Sequence, residues 1–465
     1  MRRIKQAAFL LCAVFSFSLL RAQPLTSISE HTAMPAPNGQ ILALDEAINI
    51  ALQNNPALQA ASRGVRSSQW GVKKAHLDFL PQLDFDLRYL RIDDGTLDRA
   101  NAFYNFVQEN QDAFPPELTS NVRPGAYKDA YGPAISIVQP IYNGGILRSQ
   151  LNFAQALDDR SNANHEDTRQ QVIFDTYSAY FEVLESQELL ALAEESNRSA
   201  QEHLASTSKM LDVGMRARNE VLRFEVALAT TENALIVAQN NVELAKASLN
   251  RVLGQELERA FTLAPVEDFS WQAPRTLDEQ MQSAIANNPG LRVVRSNVSA
   301  QRANVGLARS ALLPKVNLSY NYFWEANGTL AFDSIKSWSL GIVASVPLFH
   351  SFQDYAGLQR ERETLQQAHE LQEDYESFLQ LQVKQSSLNL GAAEKRIAIA
   401  IKSMEESAEN LRIVNNSYQV GLLSSLDVVD AEVANILAKA RNIEARYDFF
   451  LAKAQLARAM GVLGR

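Results

Sequence analysis

The sequence predicts a mainly α-helical chain that is internally duplicated and contains a smaller membrane β part. A Val-Gly break interrupts a long helical pattern at Gly214 and again at Gly421, 207 residues further on (421 − 214). An Asn-Asn-Pro sequence ends a short amphipathic helix at Pro56 and again at Pro289, 233 residues further on (289 − 56). After each of these helices the apolar period changes from helical to two, which indicates β-strands. The chain is therefore predicted to consist of two copies of one unit.

Length and composition limit the class of protein. The chain has 465 residues, of which 46% are hydrophobic and 21% are charged, as in ordered proteins. The formal net charge is −9, and an excess of acids makes nucleic acid a poor partner. At this length a repeat or two-part architecture is expected rather than one small domain.

The first 22 residues are predicted to be a secretory signal peptide. Arg2, Arg3 and Lys5 precede an apolar stretch that ends before Ala22. The single cysteine, Cys12, lies inside this stretch and is interpreted as a residue of the removed segment rather than an acylation site. The sequence has no other long apolar run, so entry into a membrane would require β-strands.

The two copies can be divided into the same elements in the same order. The first repeat, residues 23–254, has a β-hairpin at 80–142, a long helix at 144–212, a tip at 213–219 and a return helix at 220–253. An inter-repeat linker, expected to be an equatorial segment, covers residues 255–275. The second repeat, residues 276–465, has a hairpin at 314–348, a long helix at 352–419, a tip at 420–425 and a return helix at 426–460.

Alternating apolar residues predict the strands. Leu83, Phe85, Leu87 and Tyr89 alternate with polar residues, and a strand around Trp338 does the same. Strands of this kind suit either a membrane sheet or a half-buried sheet in water, and alternation alone does not decide between them. The first hairpin loop is predicted to be 26 residues longer than the second (233 − 207).

The long helices are predicted to pack in a coiled-coil-like assembly. Helix-breaking residues are almost absent from 144–212 and 352–419, and such helices would each extend roughly 100 Å. On the first return helix, apolar residues follow steps of four and three from Phe224 to Val252. On the second, the predicted apolar seam includes Val429, Val433 and Ile436.

The predicted strands also imply an oligomer. One chain supplies four strands, and an open sheet edge in lipid leaves backbone groups unpaired. Two chains would provide eight strands and three would provide twelve. The residues alone leave both numbers open.

The duplicated order of elements and the stretch from Tyr418 to Glu432 (Tyr-Gln-Val-Gly, then Leu-Asp-Val-Val-Asp-Ala-Glu) resemble the TolC family of outer-membrane efflux channels. The resemblance covers nearly the whole chain after residue 22. It implies a homotrimer, with a twelve-stranded outer-membrane β-barrel that continues as an α-barrel of long helices across the periplasm. It also implies a periplasmic membrane-fusion adaptor protein and an inner-membrane transporter as partners, with outer-membrane lipid around the strands.

The sequence contains no enzyme signature. It has no Gly-rich phosphate loop, no Gly-x-Ser-x-Gly elbow and no His-Glu-x-x-His sequence. The six histidines are scattered without metal-ligand spacing. No catalytic residue, metal site or cofactor is therefore expected.

Two acids after the second Val-Gly break are candidate pore residues. Asp427 and Asp430 are three residues apart in the first turns of the return helix and share one face. Their alternative role is to cap that helix. By resemblance, they form acidic rings at the periplasmic entrance, and Glu220 in the first repeat keeps an acid of the same constriction. Such a ring attracts cations and raises carboxylate pKa values by mutual repulsion.

The family resemblance also implies a latch in the closed state, formed by an acid, a tyrosine and an arginine. Glu220 and Tyr418 match the acid and the tyrosine, but Leu423 stands at the arginine position. Arg216 or Arg218 is a candidate substitute, and a pair between Arg223 and Asp427 is a further hypothesis.

Both helical hairpin tips are predicted to expose apolar residues. By resemblance these are docking points for the helical hairpins of the adaptor, although simple turn chemistry is the alternative interpretation. The predicted docking residues are Val213, Gly214, Met215, Val420, Gly421 and Leu422.

The predicted function is the outer-membrane exit duct of a tripartite efflux or type I secretion system, a passive conduit gated at its periplasmic tip. A periplasmic structural coiled-coil protein and a passive porin are the alternatives. The expected location is the outer membrane of a Gram-negative cell, with the helices in the periplasm.

Overall fold

The computed structural model describes residues 41–266, 271, 273–274, 276–327 and 335–464. The predicted signal peptide, Cys12 and part of the predicted linker lie outside the described residues. Over the described residues the chain is mainly helical, with four longer strands and two short ones. The described helices include none that is both long and apolar enough to cross a membrane.

Two helical hairpins dominate the described chain. Helix α5 (Ile146–Asp212) turns into α6 (Arg218–Val252), and α9 (Gln353–Gln419) turns into α10 (Ser425–Ala459). The two long helices have 67 residues each and the two return helices 35 each. This equality agrees with the predicted duplication. Helix α6 begins at Arg218 rather than at residue 220, because Ala217 has the extended conformation of an N-cap.

Short helices precede each sheet hairpin. Helices α1 (Leu44–Asn54) and α2 (Pro56–Leu77) correspond to α7 (Leu277–Asn287) and α8 (Pro289–Ser310) in the second repeat. Each Asn before the proline adopts an extended conformation, as expected of a residue that precedes proline. A reciprocal capping box between Thr276 and Glu279 starts α7.

The four longer strands form one antiparallel sheet in the order β2–β3–β5–β6. Their bounds are β2 (Gln82–Arg91), β3 (Asp129–Asn143), β5 (Lys315–Asn327) and β6 (Ile335–Ser345). The two hairpins are joined by pairing of β3 with β5, which leaves β2 and β6 at the edges. Both edge strands expose apolar side chains, including Phe85 at 58% and Trp338 at 66%.

The longer loop between β2 and β3 is folded. It contains α3 (Asp94–Glu109) and α4 (Pro116–Asn121). The Asn101 side chain donates to and accepts from the backbone of Ala126 at 2.9 Å in each direction. Val107, which belongs to α3, is fully buried within the loop. The insertion is therefore held by its own contacts.

The chain divides into two compact units, each drawn from both repeats. The first comprises Met1–Pro56, Asp175–Phe269 and Ala400–Tyr447, of which the described part contains both hairpin tips. In it, β1 (Ile41–Leu42) pairs in parallel with β4 (Thr262–Leu263). The Tyr180 hydroxyl lies 2.8 Å from the carbonyl oxygens of Leu42 and Ala264, and burial raises the pKa of Tyr180 to about 12.

The second unit comprises Ala57–Phe174, Ser270–Ile399 and Asp448–Arg465, and its described part contains the four-stranded sheet. One apolar core in it packs α7, α8, α9 and α10 around Leu291, Leu379 and Leu456, which are fully buried. The Asn288 side chain donates to the Ala459 carbonyl at 3.1 Å. The end of α10 is thus fixed to the Asn-Asn-Pro turn.

The apolar seams of the return helices differ in how well the sequence predicted them. On α6 the predicted seam is confirmed, since Phe224, Val242 and Leu249 are buried. On the first half of α10 the prediction was wrong by about one position. Val433 is 49% exposed, and the buried face instead contains Val428, Ala431, Asn435 and Ala438. Valines and alanines occur at steps of three and four on both the Val433 face and the Val428 face, so this spacing does not show which face is buried.

Candidate functional site

The candidate site lies at the two hairpin turns, both within the first compact unit. We call residues 213–217, between α5 and α6, the first end, and residues 420–424, between α9 and α10, the second end. Four apolar side chains here project into solvent: Val213 is 70% exposed, Met215 73%, Val420 71% and Leu422 77%. These are residues predicted to dock a partner.

Glycine makes both turns. Gly214 has a φ of 74° and Gly421 a φ of 80°, in the left-handed region that closes helices at their C-termini. The next amides, of Met215 and Leu422, donate back to Met210 and Ser417 at 2.8 and 2.9 Å, as in a Schellman motif. The apolar residues that follow each glycine are therefore held outward by the turn.

A cluster around Arg216 joins the first end to the last turn of α9. The Arg216 guanidinium donates to the Tyr418 carbonyl at 2.5 Å and lies 4.2 Å from the centre of the Tyr418 ring. Arg216 is also 3.5 Å from the carboxylate of Glu220. The Tyr418 hydroxyl donates to Glu220 at 3.3 Å. Arg216, Glu220 and Tyr418 thus form one network, which we call the Arg216 cluster.

Tyr418 is the centre of a small buried core. Its ring meets the Phe224 ring edge to face at 6.2 Å, and Val428 is fully buried beside them. The Tyr418 hydroxyl also lies 3.2 Å from Thr207. Burial raises the pKa of Tyr418, so the phenol stays protonated and can donate. Elements α5, α6, α9 and α10 all contribute to this core.

Asp427 begins α10. Its carboxylate accepts from the Ser424 amide at 2.8 Å and from the Ser424 hydroxyl at 2.7 Å. These hydrogen bonds lower the pKa of Asp427 below its ordinary value, the hydroxyl contributing most. Within one chain the carboxylate therefore caps the helix, while Asp430, one turn further, is exposed. The predicted rise in pKa requires several chains around one opening and stays a prediction.

A second polar cluster lies deeper along the same helices. Glu432 on α10 accepts from the Ser199 hydroxyl at 2.6 Å and lies 3.0 Å from His203 Nε2, both on α5. The His203 ring stacks on Phe224 at 5.4 Å and 9°. Burial raises the pKa of Glu432, but the hydrogen bonds from His203 and Ser199 outweigh burial and leave it below its ordinary value.

The structure brings some of the predicted residues together and leaves others apart. Arg216, Glu220 and Tyr418 meet, so of the two candidate arginines Arg216 is the one beside the tyrosine. Arg218 and Arg223 are exposed, and no ion pair between Arg223 and Asp427 occurs among the described residues. Glu220 is engaged with Arg216 and Tyr418 rather than projecting freely.

Sequence reasoning missed the Glu432 cluster. His203 and Glu432 are far apart in the chain, and no periodic signal links them. One signal was available: Glu432, Lys439 and Arg446 are charged residues seven apart on the same helix, the spacing of one heptad. No group of three His, Cys, Asp or Glu side chains in the described ranges could hold a metal ion.

Two long helical hairpins with paired exposed ends, joined to an antiparallel sheet with apolar edge strands, define a class of duplicated channel-type proteins. The chain matches the outer membrane efflux protein family over residues 47–255 and 281–462 and belongs to it. The recognition of the family, the duplicated fold class and the outer-membrane location are thereby confirmed. Proteins of this family are channels and not enzymes, as predicted.

The relatives are distant but match over most of their length. The outer membrane efflux protein BepC of Brucella suis is 23% identical, over 90% of this chain and 86% of its own. The alkaline protease secretion protein AprF of Pseudomonas aeruginosa is 23% identical, over 91% and 85%. The crystal structure of CusC matches with a TM-score of 0.77 at 17% identity, covering 92% of this chain and 95% of CusC. That structure belongs to a study of transmembrane channel formation.

Proposed function

We propose that this protein is the outer-membrane exit duct of a tripartite efflux or type I secretion system. Three copies associate, so that twelve strands close in the outer membrane and twelve helices, two long and two return helices from each chain, enclose a passage. The names of BepC and AprF, one for efflux and one for protease secretion, support the class and leave the cargo open. The duct is a passive conduit, and an inner-membrane transporter supplies the energy.

The Arg216 cluster carries the proposal that the duct is gated. It ties the first end to α9 through a guanidinium and a carboxylate whose side chains are only 12% and 18% exposed. Hydrogen bonds to charged groups in such settings are costly to leave unmade. Separating the two hairpins breaks these bonds, so the arrangement supports a closed state from which an external force must open the duct.

Asp427 and Asp430 form the proposed constriction. They lie on one face of α10 directly after the second end. Three chains place six carboxylates around the entrance, which attracts cations and disfavours anions. The adaptor docks on the exposed apolar residues of the two ends, tip to tip. Burial of these side chains against apolar adaptor residues supplies the binding energy.

The direct test is single-channel conductance of detergent-purified protein in a planar bilayer. Wild type is compared with Asp427→Ala/Asp430→Ala, and with Arg396→Ala as a control that removes a distant exposed ion pair to Asp448. The proposal predicts a small cation-selective conductance that rises in the double variant and not in the control. Absence of conductance, from protein that stays in solution without detergent, contradicts it and favours a structural coiled coil.

A further inference from the structure

Helices α5 and α10 are joined by a ladder of polar contacts one heptad apart. Arg446 and Tyr447 contact Glu188, Lys439 contacts Glu195 at 3.0 Å, and Glu432 contacts Ser199 and His203. Glu432, Lys439 and Arg446 are spaced seven residues apart, so they fall on one stripe of α10. Glu432 is the rung nearest to the second end.

This last rung differs from the others in the burial of its ion-paired side chains. The Glu432 and His203 side chains are 14% and 20% exposed, against 53% and 28% for Glu195 and Lys439 and 40% and 43% for Glu188 and Arg446. Exposed ion pairs contribute little because water competes and the side chains lose entropy. A largely buried carboxylate with two donors is costly to separate from them, since it would be left unsatisfied.

The Glu432 cluster is also mechanically connected to the Arg216 cluster. His203 stacks on Phe224, and Phe224 packs against Tyr418, whose ring lies against the Arg216 guanidinium. The Arg216 cluster holds the second hairpin through α9, whereas the Glu432 cluster holds it through α10. The two clusters therefore contact different helices of the same hairpin.

We propose that Glu432, held by Ser199 and His203, is a positioning residue of the gate, a second tether that must break before the second end can leave the first. This inference rests on the proposed gated duct and adds to it a step that the family resemblance did not supply. Breaking the Arg216 cluster alone does not fully open the gate, because α10 stays attached to α5 through Glu432. Full opening requires both tethers to be released.

The charges around the tether suit this role. The residues one turn away from His203 on α5 (Ser199, Ala200, Ser206 and Thr207) and from Glu432 on α10 (Val428, Val429, Asn435 and Ile436) are all uncharged. From α6 the residue packed on His203 is Phe224, and the nearest acid one turn away, Glu220, is engaged by Arg216. From α9, Tyr418 reaches the cluster through Phe224, and the apolar Val414 packs against the same core. Arg223 on α6 lines the same cavity as Glu432, but no ion pair joins the two among the described residues, so Ser199 and His203 are the groups that contact the Glu432 carboxylate.

The test uses a thiol as a reporter of opening. Val428 is fully buried between the two clusters, and Cys12 is the only native cysteine. In a Cys12→Ser/Val428→Cys background, the maleimide labelling rate of purified trimer measures how often the hairpins separate. Labelling is compared for Glu432→Ala, for Lys439→Ala as the matched rung on the same two helices, and for His203→Glu/Glu432→His, which exchanges the partners.

We expect Glu432→Ala to be labelled about tenfold faster, the effect of losing hydrogen bonds to a charged group. Lys439→Ala should stay within about twofold of the parent, since its rung is exposed. The exchanged pair should restore slow labelling. Such restoration would show that fast labelling in Glu432→Ala reflects the lost contact and not misfolding. Equal labelling rates in Glu432→Ala and Lys439→Ala, or fast labelling in the exchanged pair, would contradict the proposed second tether.

Conductance of the same proteins separates the two proposals. If Glu432→Ala is labelled faster and also conducts more, both stand. If the parent protein forms no channel at all, the proposed duct fails, whatever the labelling rates show. If channels form and Glu432→Ala neither conducts more nor is labelled faster, the duct stands and the second tether fails.

Discussion

The guanidinium of Arg216 lies 4.2 Å from the centre of the Tyr418 ring and donates to the carbonyl oxygen of the same residue. The two residues belong to different hairpins and different repeats. Glu220 accepts from the Tyr418 hydroxyl and faces the same guanidinium, so one arginine neutralises the acid and holds the aromatic ring. We propose this contact as the latch in a chain whose second end has Leu423 at the expected arginine position.

Removing the Arg216 side chain should favour the open duct. Arg216→Leu removes the side-chain donor to the Tyr418 carbonyl and the cation paired with Glu220, so we expect the open-to-closed ratio to rise on the order of tenfold. Arg216→Lys should rescue only in part, because an ammonium lacks the planar fork of guanidinium. Planar-bilayer conductance measures the ratio. Arg218→Leu, a nearby exposed arginine, is the matched control, and an equal effect there would contradict the assignment.

The Glu432 tether should be lost only in acid. The pKa of Glu432 in the folded chain lies below its ordinary value of 4.5, so the carboxylate is more stable in the folded form. This contribution is fully present above the ordinary pKa and disappears as pH falls through the lowered one. The thiolate fraction falls in acid, so the labelling rate at Val428→Cys is taken relative to that of an exposed thiol, Leu422→Cys, at the same pH, and this ratio should rise below about pH 4.5. Glu432→Gln should remove this dependence, and an unchanged acid response in that variant would refute the link.

Substitutions of Asp427 and Asp430 should distinguish helix capping from an electrostatic effect at the entrance. Asp427→Asn and Asp430→Asn both remove a carboxylate from the entrance, and both should reduce cation selectivity. Asp427→Ala also removes the acceptor for the Ser424 amide and hydroxyl, so hydrogen exchange should speed up over the first turn of α10. Asp430→Ala should leave that exchange unchanged. Faster exchange in Asp430→Ala would mean that Asp427 is not the cap.

Two glycines with similar backbone angles should respond differently to alanine. Gly254 has a φ of 67° and Gly214 a φ of 74°, so both substitutions carry the left-handed penalty of about 1 kcal/mol. A Cβ on Gly254 would lie 2.6 Å from the Asn54 carbonyl oxygen, whereas one on Gly214 would meet nothing within 4 Å. Gly254→Ala should lower the unfolding free energy by about 1–3 kcal/mol more than Gly214→Ala. Thermal unfolding measures this difference, and equal loss would contradict the close approach.

The exposed apolar residues of both ends should matter for partner binding alone. Met215→Glu and Leu422→Glu place charges on side chains that are 73% and 77% exposed, so the fold should not change. Binding of the adaptor should weaken about tenfold or more, because a charge replaces apolar contact at the interface. Surface plasmon resonance with the cognate adaptor measures this effect. Unchanged affinity in both variants would remove the docking assignment.

The sequence predicted those features that repeat or that depend on local chemistry. Gly214 and Gly421 were identifiable because a left-handed turn after a long helix requires glycine. The strands after Pro81 and Pro314 were identifiable from their period of two. The family resemblance extended these elements to a channel, and the family match agrees.

The contacts between hairpins could not be read in the same way. The sequence limited the latch cation to Arg216 or Arg218, but only the geometry of the first end places Arg216 over Tyr418. The Glu432 cluster depends on which face of α10 meets α5, and the valine and alanine spacing there fitted two faces. The predicted apolar seam placed Val433 on the buried face, so the burial of the neighbouring Glu432 was not predicted.

We propose that the duct is a channel whose entrance is closed by the Arg216 and Glu432 clusters. The most direct measurement is single-channel conductance of the purified protein in a planar bilayer, comparing wild type with Arg216→Leu/Glu432→Ala. We expect a small cation-selective conductance in wild type and a much larger one, with the same selectivity, in the double variant. A wild-type channel that is already fully open, with no increase in the variant, would contradict it.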